Sequence, residues 1–127
     1  MIAHLVRVVQ AQFRERKKGR DRSPRWNDVR DAFLKAQGGV CAACGQKKWG
    51  QVHHVAPFHL HPELELEPTN LIVLCMGTHE CHLRIGHGDD FKAYNPHVRA
   101  LAERYREAHA TERRVIVQEA RVGRVLT

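Results

Sequence analysis

The chain has 127 residues, the size of one domain, with 21 Lys and Arg against 14 Asp and Glu, a formal net charge of +7. Such a length buries only a moderate core, which a structural metal would reinforce, and the charge favours an anionic partner, nucleic acid foremost. The longest apolar run, 71–76, is far too short to span a bilayer, and the start lacks the charged n-region and long apolar h-region of a secretory signal. No membrane partner and a cytoplasmic location are therefore expected, where four cysteines are more readily metal thiolates than disulfides.

In chain order, residues 5–13 are apolar at helix-like intervals but rich in valine, and period alone does not separate helix from strand. A dense basic stretch follows, so residues 1–22 are expected to form an exposed arm. Its Lys17, Lys18, Arg20 and Arg22 either contact phosphates or are simply solvated. Ser23-Pro24 supplies an N-cap acceptor and a proline where no N–H is needed, predicting a helix that carries Trp26, Val29, Phe33 and Ala36 on one face. Gly38-Gly39 offers a left-handed stop, and the spacing of Trp26 and Phe33 makes them core rather than base-stacking residues.

Strand-like pieces lie around Val52 and at 70–75, separated by a proline-stiffened excursion. Within it Glu63, Glu65 and Glu67 alternate with Leu64 and Leu66, the pattern of a half-buried extended piece rather than a carboxylate cage. Asn95-Pro96 repeats the cap-plus-proline signal, and Val98, Leu101, Tyr105 and Ala108 predict a second long helix. Val115-Ile116-Val117 and 122–126 look extended, as an edge strand or a loose end. The expected division is an arm at 1–22, a central module with its helix at 23–95, and a C-terminal helix and tail at 96–127, all within a single compact domain.

Cys41-Ala42-Ala43-Cys44-Gly45 places two thiolates on a tight knuckle, half of a tetrahedral zinc site. Cys75 and Cys81 supply the other half across a five-residue gap, with His79 an alternative to Cys81. Of ten histidines, seven fall between His53 and His87. A His53-His54 pair, then an apolar strand led by Asn70, then Cys81-His82 form an ordered set rather than scattered surface residues.

With both cysteine pairs, that order of His-His, Asn and His resembles the HNH endonucleases that carry zinc-binding cysteines, over residues 40–96. The resemblance implies an α+β fold: a ββα-metal (HNH) finger with a structural zinc knuckle, flanked by an N-terminal and a C-terminal helix. It implies His54 as general base, Asn70 bracing the loop of that base, and a catalytic divalent metal (Mg2+, Mn2+, Ni2+ or Zn2+) on His53 and His82. His87 is a possible third ligand, provided that Gly86 and Gly88 break the helical step that would otherwise turn it away from His82. Adjacent strand residues face opposite sides, so His53 and His54 could share a metal only where the strand ends and twists. His59 is a lesser candidate for the site, His61 is expected to be exposed, and His79 could instead take the register of His82.

The implied activity is metal-assisted hydrolysis of DNA, double-stranded and preferred over RNA by resemblance only, by a monomer or homodimer. The rival expectation is a non-catalytic zinc-ribbon nucleic-acid-binding protein, which keeps the charge and the cysteines but leaves the histidine and Asn70 pattern unexplained.

Overall fold

The computed structural model describes residues 21–127; the predicted element at 5–13 and the arm residues Lys17, Lys18 and Arg20 lie outside these. The first helix, α1, spans Trp26–Ala36 and packs on strand β1, Gly50–His54. β1 pairs antiparallel with β2, Leu71–Cys75, in the register Gly50 to Cys75, Val52 to Val73 and His54 to Leu71. All five β2 residues are buried, as the continuous apolar run requires. A single π-helical turn, His82–Gly86, follows, then β3 (Ala93–Tyr94), α2 (Val98–Glu107), α3 (Ala110–Gly123) and β4 (Val125–Leu126), which pairs antiparallel with β3. The architecture is thus a mixture of helices and two small antiparallel sheets, the expected α+β class.

Both cap-plus-proline signals open helices, but two residues later than a true N-cap would. The Ser23 hydroxyl accepts from Arg25 N (3.2 Å) and its carbonyl from Trp26 N (3.0 Å). Likewise the Asn95 side chain accepts from His97 N (3.0 Å) and its carbonyl from Val98 N (3.2 Å). Each is a side-chain-closed turn with proline inside it, feeding a helix whose own cap residue, Arg25 or His97, makes no side-chain cap bond. At the far end of α1, Gly38 and Gly39 adopt φ of +66° and +65°, and Gly39 N donates back to Leu34 O at 3.0 Å, closing the helix as expected.

Three predicted elements are corrected. The glutamate alternation is not extended: Pro62–Leu64 and Pro68–Asn70 are 3-10 turns, and Glu65 between them is fully buried. The second long helix is two, because Ala108 and His109 are extended at ψ 151° and 172°. Val115-Ile116-Val117 is helical, inside α3. There Ile116 and Ala120, four apart, are both fully buried, and this packing overrides the strand preference of a β-branched triplet.

Among the described residues one core runs across the 95/96 boundary. Cys41, Cys75, Cys81, Leu74 and Ile85 from the module pack with Val98, Leu101, Tyr105, Ile116 and Ala120 from the C-terminal helices. Asn95, fully buried, fastens the junction by donating to Ile85 O (2.9 Å), while its own N–H donates to Gly86 O (3.0 Å). Ile116→Ala is therefore expected to cost about 2–5 kcal/mol of unfolding free energy through the cavity it leaves under the π turn. Exposed Val122→Ala should stay within about 0.5 kcal/mol; equal denaturation midpoints for the two variants would contradict this packing.

Candidate metal centres and catalytic cleft

Two clusters of metal-ligating side chains hang on the β1–β2 hairpin. Beside the end where Gly50 faces Cys75, the sulfurs of Cys41, Cys44, Cys75 and Cys81 all lie within 4.8 Å of one another. The Cys44 and Cys75 sulfurs are 3.5 Å apart, and none of the four cysteines is in a disulfide. A tetrahedral zinc with bonds of ~2.3 Å places its sulfurs about 3.8 Å apart, so the set is near ligating geometry. The knuckle is built by Gly45 at φ +81°, by Gly45 N donating to Cys41 O (3.0 Å), and by Cys44 N donating to the Cys41 sulfur (3.4 Å).

Four thiols this close cannot all ionise on their own. A hydrogen bond from Cys81 pulls Cys41 down to about 4, burial pushes Cys44 up to about 11, and Cys81, bonded to Cys41 and buried, is driven higher still. A cation at their centre removes that conflict by favouring the thiolate of every member. Cys81, not His79, completes the set; His79 sits apart, 6.4 Å from the Tyr105 ring.

The second cluster joins His53 of β1 to His82 and His87, which flank the π turn, with ligand nitrogens again within 4.8 Å. In an ordinary α-helix residues five apart diverge; here the wide turn, with hydrogen bonds spanning five residues, brings His82 and His87 to one side. Gly86 gives them close room, because a Cβ there would come within 3.2 Å of the His53 ring and 3.1 Å of Leu74 and push both side chains aside.

The tautomers follow from the partners. His87 Nδ1 donates to Ala93 O (2.7 Å) and His82 Nδ1 to Gln51 Oε1 (2.8 Å), so both Nε2 atoms carry lone pairs, and these face each other at 3.3 Å. The buried His53 Nε2 has no hydrogen-bond partner among the described residues. Burial holds His53 well below its ordinary pKa, and burial with the neighbouring His87 lowers His82 to about 4; burial lowers His87 too. Three neutral imidazoles whose ring nitrogens lie within 4.8 Å of one another form a donor set that fits a metal ion.

His54, one residue on, faces the other way. Its ring lies 4.5 Å from that of Trp26, and its Nε2–H donates to the Glu65 carbonyl at 2.9 Å, leaving Nδ1 as a proton acceptor. Burial lowers its pKa, partly offset by the bond to Glu65, so the ring is neutral near pH 7. The strand period therefore resolves the sequence ambiguity: His53 joins the metal-ligating set, and His54 does not. Both nevertheless line one cleft of about 410 Å3 with His82, His87, His59 and Arg22.

Asn70 braces that cleft. Its Oδ1 accepts from Ala56 N (2.8 Å), and its Nδ2 donates to Ala56 O (3.1 Å) and Leu64 O (3.3 Å), closing the loop that follows His54. Arg22, expected on a free arm, lies instead at the cleft, 4.3 Å from the centre of the Phe58 ring and 3.6 Å from the buried Glu65 carboxylate. That carboxylate also accepts from Ser23 N at 3.1 Å. Glu65, Phe58 and Gln51 were missed from sequence. The signal for Glu65 was present, an acid among leucines beside prolines, but a buried acid needs a partner distant in the chain to be recognised. His61 is exposed, as expected, and pairs with Glu63 at 3.1 Å, apart from both clusters.

No family model, curated protein or solved structure matches the chain. A cavity of about 680 Å3, rimmed by Arg84, Arg113, Arg114 and Arg121, is lined by no member of either cluster. No helix among the described residues is long and apolar enough to cross a membrane.

Metal analysis tests the thiol cluster. Cys41→Ser is expected to remove about one equivalent of bound metal and to lower the melting temperature, because binding energy at a structural site is folding energy. His82→Ala should leave that equivalent in place. A Cys41→Ser protein with full metal content and an unchanged melting temperature would contradict the assignment.

Proposed function

We propose that the chain is a metal-dependent endonuclease of the HNH type that hydrolyses phosphodiester bonds in DNA. Its ββα-metal finger consists of β1, β2 and the π turn. The observation that carries this reading is the shared cleft: a neutral imidazole with Nδ1 as proton acceptor beside three imidazoles whose ring nitrogens converge.

Phosphodiester hydrolysis needs a water deprotonated for in-line attack, countercharge on the phosphate and stabilisation of the departing oxygen. His54 Nδ1 takes the proton from the attacking water. Its Nε2–H bond to the Glu65 carbonyl fixes the tautomer and stabilises the cation that forms. Arg22, oriented by Glu65 and Phe58, supplies donors for a phosphate oxygen. His53, His82 and His87 would hold the catalytic divalent ion, which supplies Lewis-acid charge at the phosphate and leaving oxygen. Three nitrogen donors and no carboxylate favour Zn2+ or Ni2+ over Mg2+. The thiol cluster holds zinc as a fold element, and Asn70 acts through the loop, keeping the Glu65 carbonyl beneath His54.

The test is incubation of supercoiled plasmid with the protein and Mg2+, Mn2+, Ni2+ or Zn2+. His54→Ala is expected to cut about 10^2- to 10^4-fold more slowly, the usual contribution of a positioned base, with its metal content intact. Equal rates for the two proteins sink the mechanism. If neither cuts DNA or RNA and both bind it, the chain is a non-catalytic zinc-ribbon binder. Asn70→Ala, which strips Ala56 N–H of its acceptor, should cost about 1–3 kcal/mol of stability and slow cutting as well; normal cutting would remove Asn70 from the machinery.

A further inference from the structure

The loop between the thiol knuckle and β1 carries a residue that the proposed reaction does not use. Trp49 is 70% exposed, and its backbone is left-handed at φ +62°, a conformation that a bulky L-residue adopts only where its surroundings impose it. They do so here. The Trp49 carbonyl accepts from Met76 N at 2.9 Å, extending the β1–β2 ladder. The indole edge rests on Gly77, where a Cβ would stand 3.0 Å from Trp49 Cδ1. The ring is thereby held in place with most of its surface open.

Beside it, Lys47 and Lys48 are exposed and line a shallow cleft of about 530 Å3 with Gln46, Trp49 and Thr78, and no carboxylate takes part in that lining. A protein partner seated by hydrophobic contact would call for a wider apolar patch than one indole among polar neighbours. A fixed aromatic face beside two ammonium groups instead matches a nucleic-acid strand: the base stacks and the phosphates pair with the lysines. Trp49 stands four residues before His53. At no more than ~3.3 Å per residue this is at most about 13 Å, a span of a few nucleotides of a DNA strand.

We propose that Trp49 stacks on an unpaired base of a DNA strand whose phosphates pass Lys47 and Lys48. Resting on the nuclease reading, this gives the enzyme a substrate with a single-stranded or opened segment a few nucleotides from the scissile bond.

The experiment uses the full chain carrying His54→Ala, so that DNA stays intact. A labelled oligothymidylate, alone or annealed to its complement, is titrated while anisotropy reports binding and tryptophan emission reports stacking. The only other tryptophan, Trp26, is 9% exposed and packed on residue 54, so Trp49→Phe identifies which indole responds. The single strand is expected to quench emission in the Trp49 protein and not in Trp49→Phe. Trp49→Ala should bind it about 5- to 100-fold more weakly, and Trp49→Phe, which keeps a ring, should lose less.

Binding without quenching, no binding at all, affinity of Trp49→Ala within about twofold of its parent, or equal quenching by duplex each overturns the proposal. Failure of the nuclease reading shows differently. Quenching by the single strand, with no cutting by the unmutated protein in any metal, retains the stacking site and removes the enzyme. Undiminished cutting by Trp49→Ala with unmoved emission does the reverse.

Discussion

The meeting of four cysteine sulfurs at one buried point is the constraint on which the rest of the structure depends. Cys41 and Cys44 follow the exit of α1, Cys75 ends β2, and Cys81 immediately precedes the π turn, so their convergence joins three chain segments that share no continuous sheet or helix. The histidine cluster inherits its positions from this joint. His82 is the residue after Cys81, and His53 is reached from Gly50, which pairs with Cys75. In the proposed reading zinc holds the joint, and binding of ~10–16 kcal/mol is as large as the entire ~5–15 kcal/mol stability of an ordinary domain. A core of this size, with Cys41, Cys75 and Cys81 inside it, is then organised around an ion as much as around side chains.

A second tier of buried polar groups translates the joint into a site. Asn70, Glu65 and Asn95 are each nearly or wholly inaccessible, and each is satisfied by backbone partners or an arginine. Unsatisfied groups there would each cost ~1–3 kcal/mol, so the loops they fasten have few alternative placements. Glu65 shows the economy of the arrangement: its carboxylate fixes Ser23 and Arg22 on one side while its carbonyl sets the tautomer of His54 on the other.

The elements legible in the sequence were those whose signal is local. Gly38-Gly39 ends α1 through its own backbone, the buried strand at 71–75 is a continuous apolar run, and the close cysteine pair at 41 and 44 has one sensible geometry. What was not legible depended on partners distant in the chain. Val115-Ile116-Val117 has strand propensity, and only the buried surface under the π turn makes it helical. The glutamate alternation suggested a strand because nothing nearby shows that Ser23 and Arg22 come to meet Glu65. The placement of His87 turned on the π turn, which no residue pattern announces, although Gly86 is what permits His53 to lie against it. Trp49 has neighbours that mark it as basic and aromatic, but its left-handed backbone is visible only in three dimensions.

The adjacency of His53 and His54 has a consequence for how such a site can change. Two imidazoles of identical chemistry are kept in separate employment by the alternation of the strand alone, one turned toward the other histidines and its neighbour toward Trp26. Insertion or deletion of one residue in β1 would exchange their directions, not merely displace them, and would disrupt both sets of contacts together. The dipeptide therefore behaves as a unit: a change of length in the loops on either side of β1 leaves the two directions as they are, whereas a one-residue change within β1 reverses both.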